Sequence, residues 1–110
     1  MANTFKLKTK ANVGVSTVGI YTVPAATATV VIGITLANTS GSGVNVGIGI
    51  TRAGATEDVK LLKNAPIPQG SSLEFMAGNK VVLETTGDTL TVDSDTNNSI
   101  DAALTIMEIT

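Results

Sequence analysis

Asp93, Asp95, Asn97, Ser99 and Asp101 place five oxygen donors at alternate positions near the end of the chain. Hard cations such as calcium take oxygen ligands at short spacing, so the run has the opening of a calcium loop. Its second half does not fit. The sixth position is Asn98 where a glycine makes the sharp turn, and the twelfth is Leu104 where a bidentate glutamate closes the shell. A polar turn between two strands accounts for the same residues, because Asp and Asn side chains close turns on their own backbone. No metal and no other cofactor is expected.

The remaining chemistry is sparse. Glu57 and Asp58 are adjacent and project to opposite sides of a strand, while Glu74, Glu84, Asp88 and Glu108 lie on separate segments. They read as solvent-facing charge, not as the two facing carboxylates of a glycosidase. The chain has no His and no Cys, so the commonest general base, metal ligand and thiolate nucleophile are missing. Ser and Thr are abundant but nothing activates them, and Gly41-Ser42-Gly43 lacks the Lys-Ser/Thr that completes a phosphate-binding loop. A non-enzymatic protein without catalytic residues is expected.

The elements that would position any site are strands. Val44, Val46, Ile48 and Ile50 alternate with Asn45, Gly47, Gly49 and Thr51. Ile100, Ala102, Leu104 and Ile106 alternate with Asp101, Ala103, Thr105 and Met107. In the third such run, Ala28, Val30, Ile32, Ile34 and Leu36 fall on one face and Thr29, Val31, Gly33 and Thr35 on the other. A period of two rich in β-branched residues is the half-buried strand pattern. Strands are expected at about 15–23, 28–37, 44–52, 58–63, 72–76, 80–84, 88–93 and 100–109. Asn38 to Gly43 and Ala53 to Thr56 read as hairpin loops, Ala77-Gly78-Asn79 and Thr86-Gly87-Asp88 as tight turns, and Asp93 to Ser99 as the last loop. About eight short strands predict an all-β fold, a two-layer antiparallel β-sandwich of jelly-roll or immunoglobulin-like topology. Residues 1–12 are expected to form an extended N-terminal arm or edge strand, and residues 13–110 a single sandwich domain.

Composition narrows the partners. A net charge of −2, a pI near 4.8 and 3% aromatic residues argue against nucleic acid, which calls for a basic field and stacking platforms. Charged residues make up 15% of the chain, against ~25% in average soluble proteins. A surface short of charge and rich in Thr, Gly, Ala and Ser is one that neighbours cover. Val23 to Ala37 is too short and too interrupted, by Pro24 and Gly33, to span a bilayer, so no membrane is expected. No apolar run of a signal peptide follows the first lysines, which implies synthesis and action in a cytoplasm or release by lysis.

Two places are candidate partner contacts. In the N-terminal segment Phe5 and Leu7 alternate with Lys6, Lys8 and Lys10, giving one apolar and one basic side. It either lies along an acidic neighbouring subunit or forms an edge strand whose lysines resist aggregation. Gly47 and Gly49 share the face of Asn45 and Thr51, and mark either a flat patch for a second subunit or a bulge.

Taken in order, Tyr21-Thr22-Val23-Pro24, the run Thr29 to Asn38, Ala65-Pro66-Ile67-Pro68-Gln69-Gly70-Ser71-Ser72-Leu73, Lys80-Val81-Val82-Leu83-Glu84 and Gly87-Asp88-Thr89-Leu90 resemble small virion structural proteins of tailed phages, notably marine ones. The likeness covers most of the chain from Val15 to Thr110 and rests on the succession of motifs. It implies a virion component present in many symmetric copies. The first expectation is a capsid decoration or cement protein, acting as a small oligomer such as a trimer on major capsid subunits. The alternatives are a neck or tail accessory protein that meets tail subunits and, in another class, a carbohydrate-binding sandwich. The last is weakened by having only Phe5, Tyr21 and Phe75 to offer a sugar.

Overall fold

The computed structural model describes residues 2–54, 57–75 and 80–110. It contains nine strands: β1 (Asn3–Val13), β2 (Val18–Thr22), β3 (Ala28–Asn38), β4 (Val44–Arg52), β5 (Glu57–Ile67), β6 (Ser72–Phe75), β7 (Val81–Leu83), β8 (Thr89–Ser94) and β9 (Ile100–Ile109). Eight of them match the expected runs and the N-terminal segment supplies the ninth. One sheet has the order β1-β9-β3-β6, and β7 pairs with β3 further along the edge that β6 begins; the other has the order β2-β8-β4-β5. Every ladder is antiparallel.

The predicted all-β sandwich is the fold, and the strand order selects the jelly roll over the immunoglobulin arrangement. Successive strands mostly change sheets, and among the described residues β4 and β5 are the one consecutive pair joined by a ladder. This corrects the hairpin expected at Asn38 to Gly43, because β3 and β4 lie in different sheets and that loop crosses between them. Buried Asn38 makes the crossing possible. Its Nδ2 donates to the carbonyls of Ser42 at 2.8 Å and Ile67 at 3.0 Å, and its Oδ1 accepts from the N–H of Ser40 at 2.9 Å. The turn at Thr86 to Asp88 likewise joins strands of different sheets. The loop at Ala53 to Thr56 does join paired strands, with Ala55 and Thr56 outside the described residues, as are Met76 and the whole of the Ala77-Gly78-Asn79 turn.

The core is the space between the sheets. Leu36, Ile48, Ile67, Leu83, Leu90, Ile100, Leu104 and Ile106 are fully buried there, each stabilising the fold by about 1.5–3 kcal/mol. On β4 and β9 the apolar residues face inward as the alternation requires. On β3 they do so only in the second half. The ladder with β9 shifts register between Val31 and Gly33, and one extra residue exchanges the two faces of everything before it. Thr29 and Val31 therefore point into the core with Ile34 and Leu36, while Ala28, Val30 and Ile32 are only half-buried.

Candidate assembly surface

The paired registers define what each sheet shows to the outside. Across the β1-β9-β3-β7 strands, Phe5 pairs with Met107, Met107 with Val30, and Val30 with Val82. This is a continuous apolar row on the outer face. Its ends are open, Phe5 being 69% and Val82 58% exposed. Leu7, 65% exposed, lies two residues along β1, and half-buried Ile109 lies two residues along β9. Charge on the paired part of this face is confined to Glu74 and Asp101 at its far end, beside Thr35 and Ala37.

The opposite broad side is different. There Thr22, Thr89, Thr51 and Asp58 form one row, and Gly19, Thr91, Gly49 and Lys60 the next. Thr22 and Thr89 join hydroxyls at 3.1 Å. A hydroxyl-bearing, charged face keeps its hydration, whereas an apolar row with open Phe and Val ends gains by being covered.

Lys6, Lys8 and Lys10 take the other side of β1. They pair with Ile106, Leu104 and Ala102, so they point toward the margin of the core. Inward-pointing charge on an edge strand opposes edge-to-edge aggregation. Lys6 has a specific partner as well: its Nζ is 2.7 Å from Oε1 of Glu108. Glu108 is buried, and corrects the expectation that it is solvent-facing charge. Its Oε2 accepts the Tyr21 hydroxyl at 2.6 Å, and the Tyr21 oxygen lies 2.7 Å from the Thr29 hydroxyl. Tyr21 has one proton and gives it to the carboxylate, so Thr29 donates to Tyr21. The ammonium and phenol hydrogen bonds hold Glu108 below the usual carboxylate range against the effect of its burial. Burial, reinforced by the hydrogen bond to Glu108, pushes the Tyr21 hydroxyl up to about 12. This cluster was missed in the sequence, although the alternation Ile100, Ala102, Leu104, Ile106 continues onto Glu108 and places it inside.

Gly47 and Gly49 are buried by this chain's own atoms. A Cβ on Gly47 would sit 2.6 Å from Oδ1 of Asp93 and 3.3 Å from the Leu62 carbonyl, and one on Gly49 would sit 3.0 Å from the Val59 carbonyl. The β4–β5 ladder shifts register on both sides of Ile48. The glycines admit the bulged backbone of β5.

The alternating oxygen donors diverge. Asp93 Oδ2 accepts from Thr17 Oγ1 at 3.1 Å and Lys60 Nζ at 3.4 Å, Asp95 Oδ1 from the Asn45 N–H at 3.1 Å, and Asp101 Oδ1 from the Asn12 N–H at 3.0 Å. Ser99 donates to the Thr96 carbonyl at 2.7 Å. Each closes a different junction, and among the described residues no three acidic side chains converge. A depression lined by Ile50, Arg52, Glu57, Val59, Val82, Leu83, Glu84 and Asp88 opens at one end of the sandwich. Its carboxylate, Asp88, is buried, contrary to the expectation of solvent-facing charge, and accepts from the N–H groups of Ala53 at 2.9 Å and Thr85 at 3.2 Å. Arg52 is held by Glu84 at 3.2 Å. Tyr21 is too deeply buried to serve as a sugar platform.

No protein-family model and no curated protein matches the chain. Solved structures do. A chain from the Bacillus endospore appendages, described as a family of disulfide-linked pili, aligns over 99% of this chain and 87% of its own at TM-score 0.57 and 16% identity. A chain from the capsid asymmetric unit of cyanophage Pam1 aligns over 96% and 84% at TM-score 0.53 and 11% identity. The subviral particle of VP2 from infectious bursal disease virus aligns over 96% of this chain but only 32% of its own, at TM-score 0.59 and 10% identity. At these identities the likeness is one of fold: this chain has a β-sandwich architecture that also occurs in a pilus and in viral capsids.

Proposed function

We propose that the chain is a non-enzymatic structural subunit of a bacteriophage virion, a capsid decoration or cement protein that binds the assembled shell as a small oligomer. The observation that carries the reading is the apolar row Phe5, Met107, Val30 and Val82 on one broad face, exposed at both ends and half-buried between, opposite a hydroxyl-rich face. A molecule so divided has one side suited to burial against protein and one suited to water. The fold it shares with a cyanophage capsid chain supports the virion setting, as does the succession of motifs resembling phage structural proteins. The partners are other copies of this chain, as a trimer, and major capsid subunits, with Phe5 and Leu7 in the contact and Lys8 and Lys10 at its margin. Repetition over a lattice multiplies a modest contact.

A second reading, a repeating subunit of an appendage or tail, is favoured by the alignment over nearly the whole pilus chain. With no cysteine in this sequence, its assembly would not use the disulfides named for that pilus family. Gold-conjugated antibody against the chain, applied to virions from the lysate that yields it, separates the two. Label on heads supports decoration, and label on necks or tails supports the second reading. Virions without label overturn decoration and the tail, and label on filaments apart from virions supports the appendage. Light scattering of purified protein gives the oligomer, and Val82→Ser with Phe5→Ser should dissociate it while leaving the circular dichroism spectrum unchanged.

A further inference from the structure

We infer that β1 is an exchangeable strand, traded between copies of this chain along the edge of β9 with the Lys6–Glu108 pair setting its register. The inference rests on the self-association proposed above. Of the eleven residues of β1, only Val13 is buried. The segment Asn3 to Lys10 is held by the main-chain ladder to β9, extended by a reciprocal pair between Ala2 and Thr110 at 3.1 and 2.9 Å. The side chains of Asn3 to Asn12 themselves bury little apolar surface, so less is lost on their release than with a core strand.

The point of release is built into the backbone. The β1–β9 ladder loses register between Lys10 and Val13, and Asn12 sits there at φ 58°, in the left-handed region. Its N–H is tied to the Asp101 carboxylate at 3.0 Å, outside the regular ladder. A change of direction at Ala11 and Asn12 leaves Val13 seated in the core.

The vacated edge does not tolerate staying empty. Removal of Lys6 leaves the buried carboxylate of Glu108 without its cation, and an uncompensated buried charge is strongly unfavourable. The strand that fits must restore the β9 ladder and place an ammonium opposite Ile106. A second copy of this chain supplies both in β1 itself. Contacts within and between copies are then the same, so the balance is set by concentration and by strain at Asn12.

The absence of cysteine makes a direct test available. Phe5 and Met107 are paired across β1 and β9 on the outer face. Antiparallel partners have Cα separations of about 4.5–5.5 Å, within the range a disulfide bridges. The double variant Phe5→Cys/Met107→Cys is prepared unlabelled and 15N-labelled. The two are mixed, refolded together from urea at high concentration, and oxidised. Mass spectrometry then reads the peptide pair joined between positions 5 and 107. Exchange gives a hybrid mass, absent from either parent, whose share grows with concentration, and deletion of Asn12 should raise that share several-fold. Joined peptides of parental mass alone, at every concentration, overturn the proposal. The pair Thr9→Cys/Ala103→Cys gives the same readout should the first variant fold poorly. An oligomeric parent protein in light scattering with no hybrid mass from either cysteine pair sinks the exchange and leaves the assembly reading standing, whereas a monomeric parent with no hybrid mass removes both.

Discussion

Replacement of Tyr21 by Phe removes a single oxygen from the buried cluster that ties β1 to the core. That oxygen donates to Glu108 at 2.6 Å and meets Thr29 at 2.7 Å, and Tyr21 and Glu108 are each only 5% exposed. A hydrogen bond to a charged acceptor contributes about 1.5–3 kcal/mol, and water cannot easily replace it here. For a domain of this size the loss should lower Tm by roughly 6–15 °C, measured by circular dichroism at neutral pH. The effect should depend on pH with a definite sign. Glu108 is held below the usual carboxylate range in the folded state, so its contribution is complete above the unfolded value of about 4.3 and is lost as pH falls through the folded value. The gap between parent and Tyr21→Phe should therefore narrow in acid. A Tm change under about 2 °C at neutral pH, or a gap that widens in acid, would refute the cluster as a source of stability.

The other predictions concern the same fold. Tyr21 is the one tyrosine of the chain, so phenolate absorbance reports it alone. The midpoint should lie near 12 in the folded protein and near 10 in denaturant. Stability linked to Tyr21, about 2–3 kcal/mol, should be fully present below the lower value and lost toward the upper, and Tyr21→Phe should lack that limb. Gly49→Ala should cost about 1–3 kcal/mol in urea unfolding, because its Cβ would meet the Val59 carbonyl at 3.0 Å. Gly41→Ala, with nothing within 4 Å, should change little, and equal effects of the two would remove the bulge explanation. Leu104→Ala, fully buried on β9, should cost about 2–5 kcal/mol by the same measurement.

Much of this architecture was legible because alternation is a local property. Val44 to Thr51 and Ile100 to Met107 keep one phase from end to end, and their inward faces follow from the period of two. The Ala28 to Leu36 run alternates as regularly, yet its first half faces the side opposite to the one the unbroken pattern predicts. One residue added near Ile32 leaves both halves alternating and reverses their relation, and nothing in the apolar pattern marks the site. Loop destinations were hidden for a related reason. Asn38-Thr39-Ser40-Gly41-Ser42-Gly43 has the chemistry of a tight reversal, and the same residues serve as well to cross between layers. What decides is the reach of the Asn38 side chain to Ile67, 29 positions away, which local propensity does not contain.

The surface was legible in its parts but not in their sum. Phe5, Leu7 and the three lysines could be sorted onto two sides of one strand, but the apolar side becomes a surface only when Met107, Val30 and Val82 arrive beside it from three other strands. The lysines change meaning more. In isolation they are a basic edge for an acidic neighbour. In the sandwich Lys6 answers a carboxylate of its own chain, placed inside by the alternation that seats Ile106 and Leu104. A buried charge at the end of an apolar strand face is costly unless a partner is guaranteed. Here the partner sits on the strand with the least burial of its own, so the strand that core packing holds most weakly is the one that Glu108 requires.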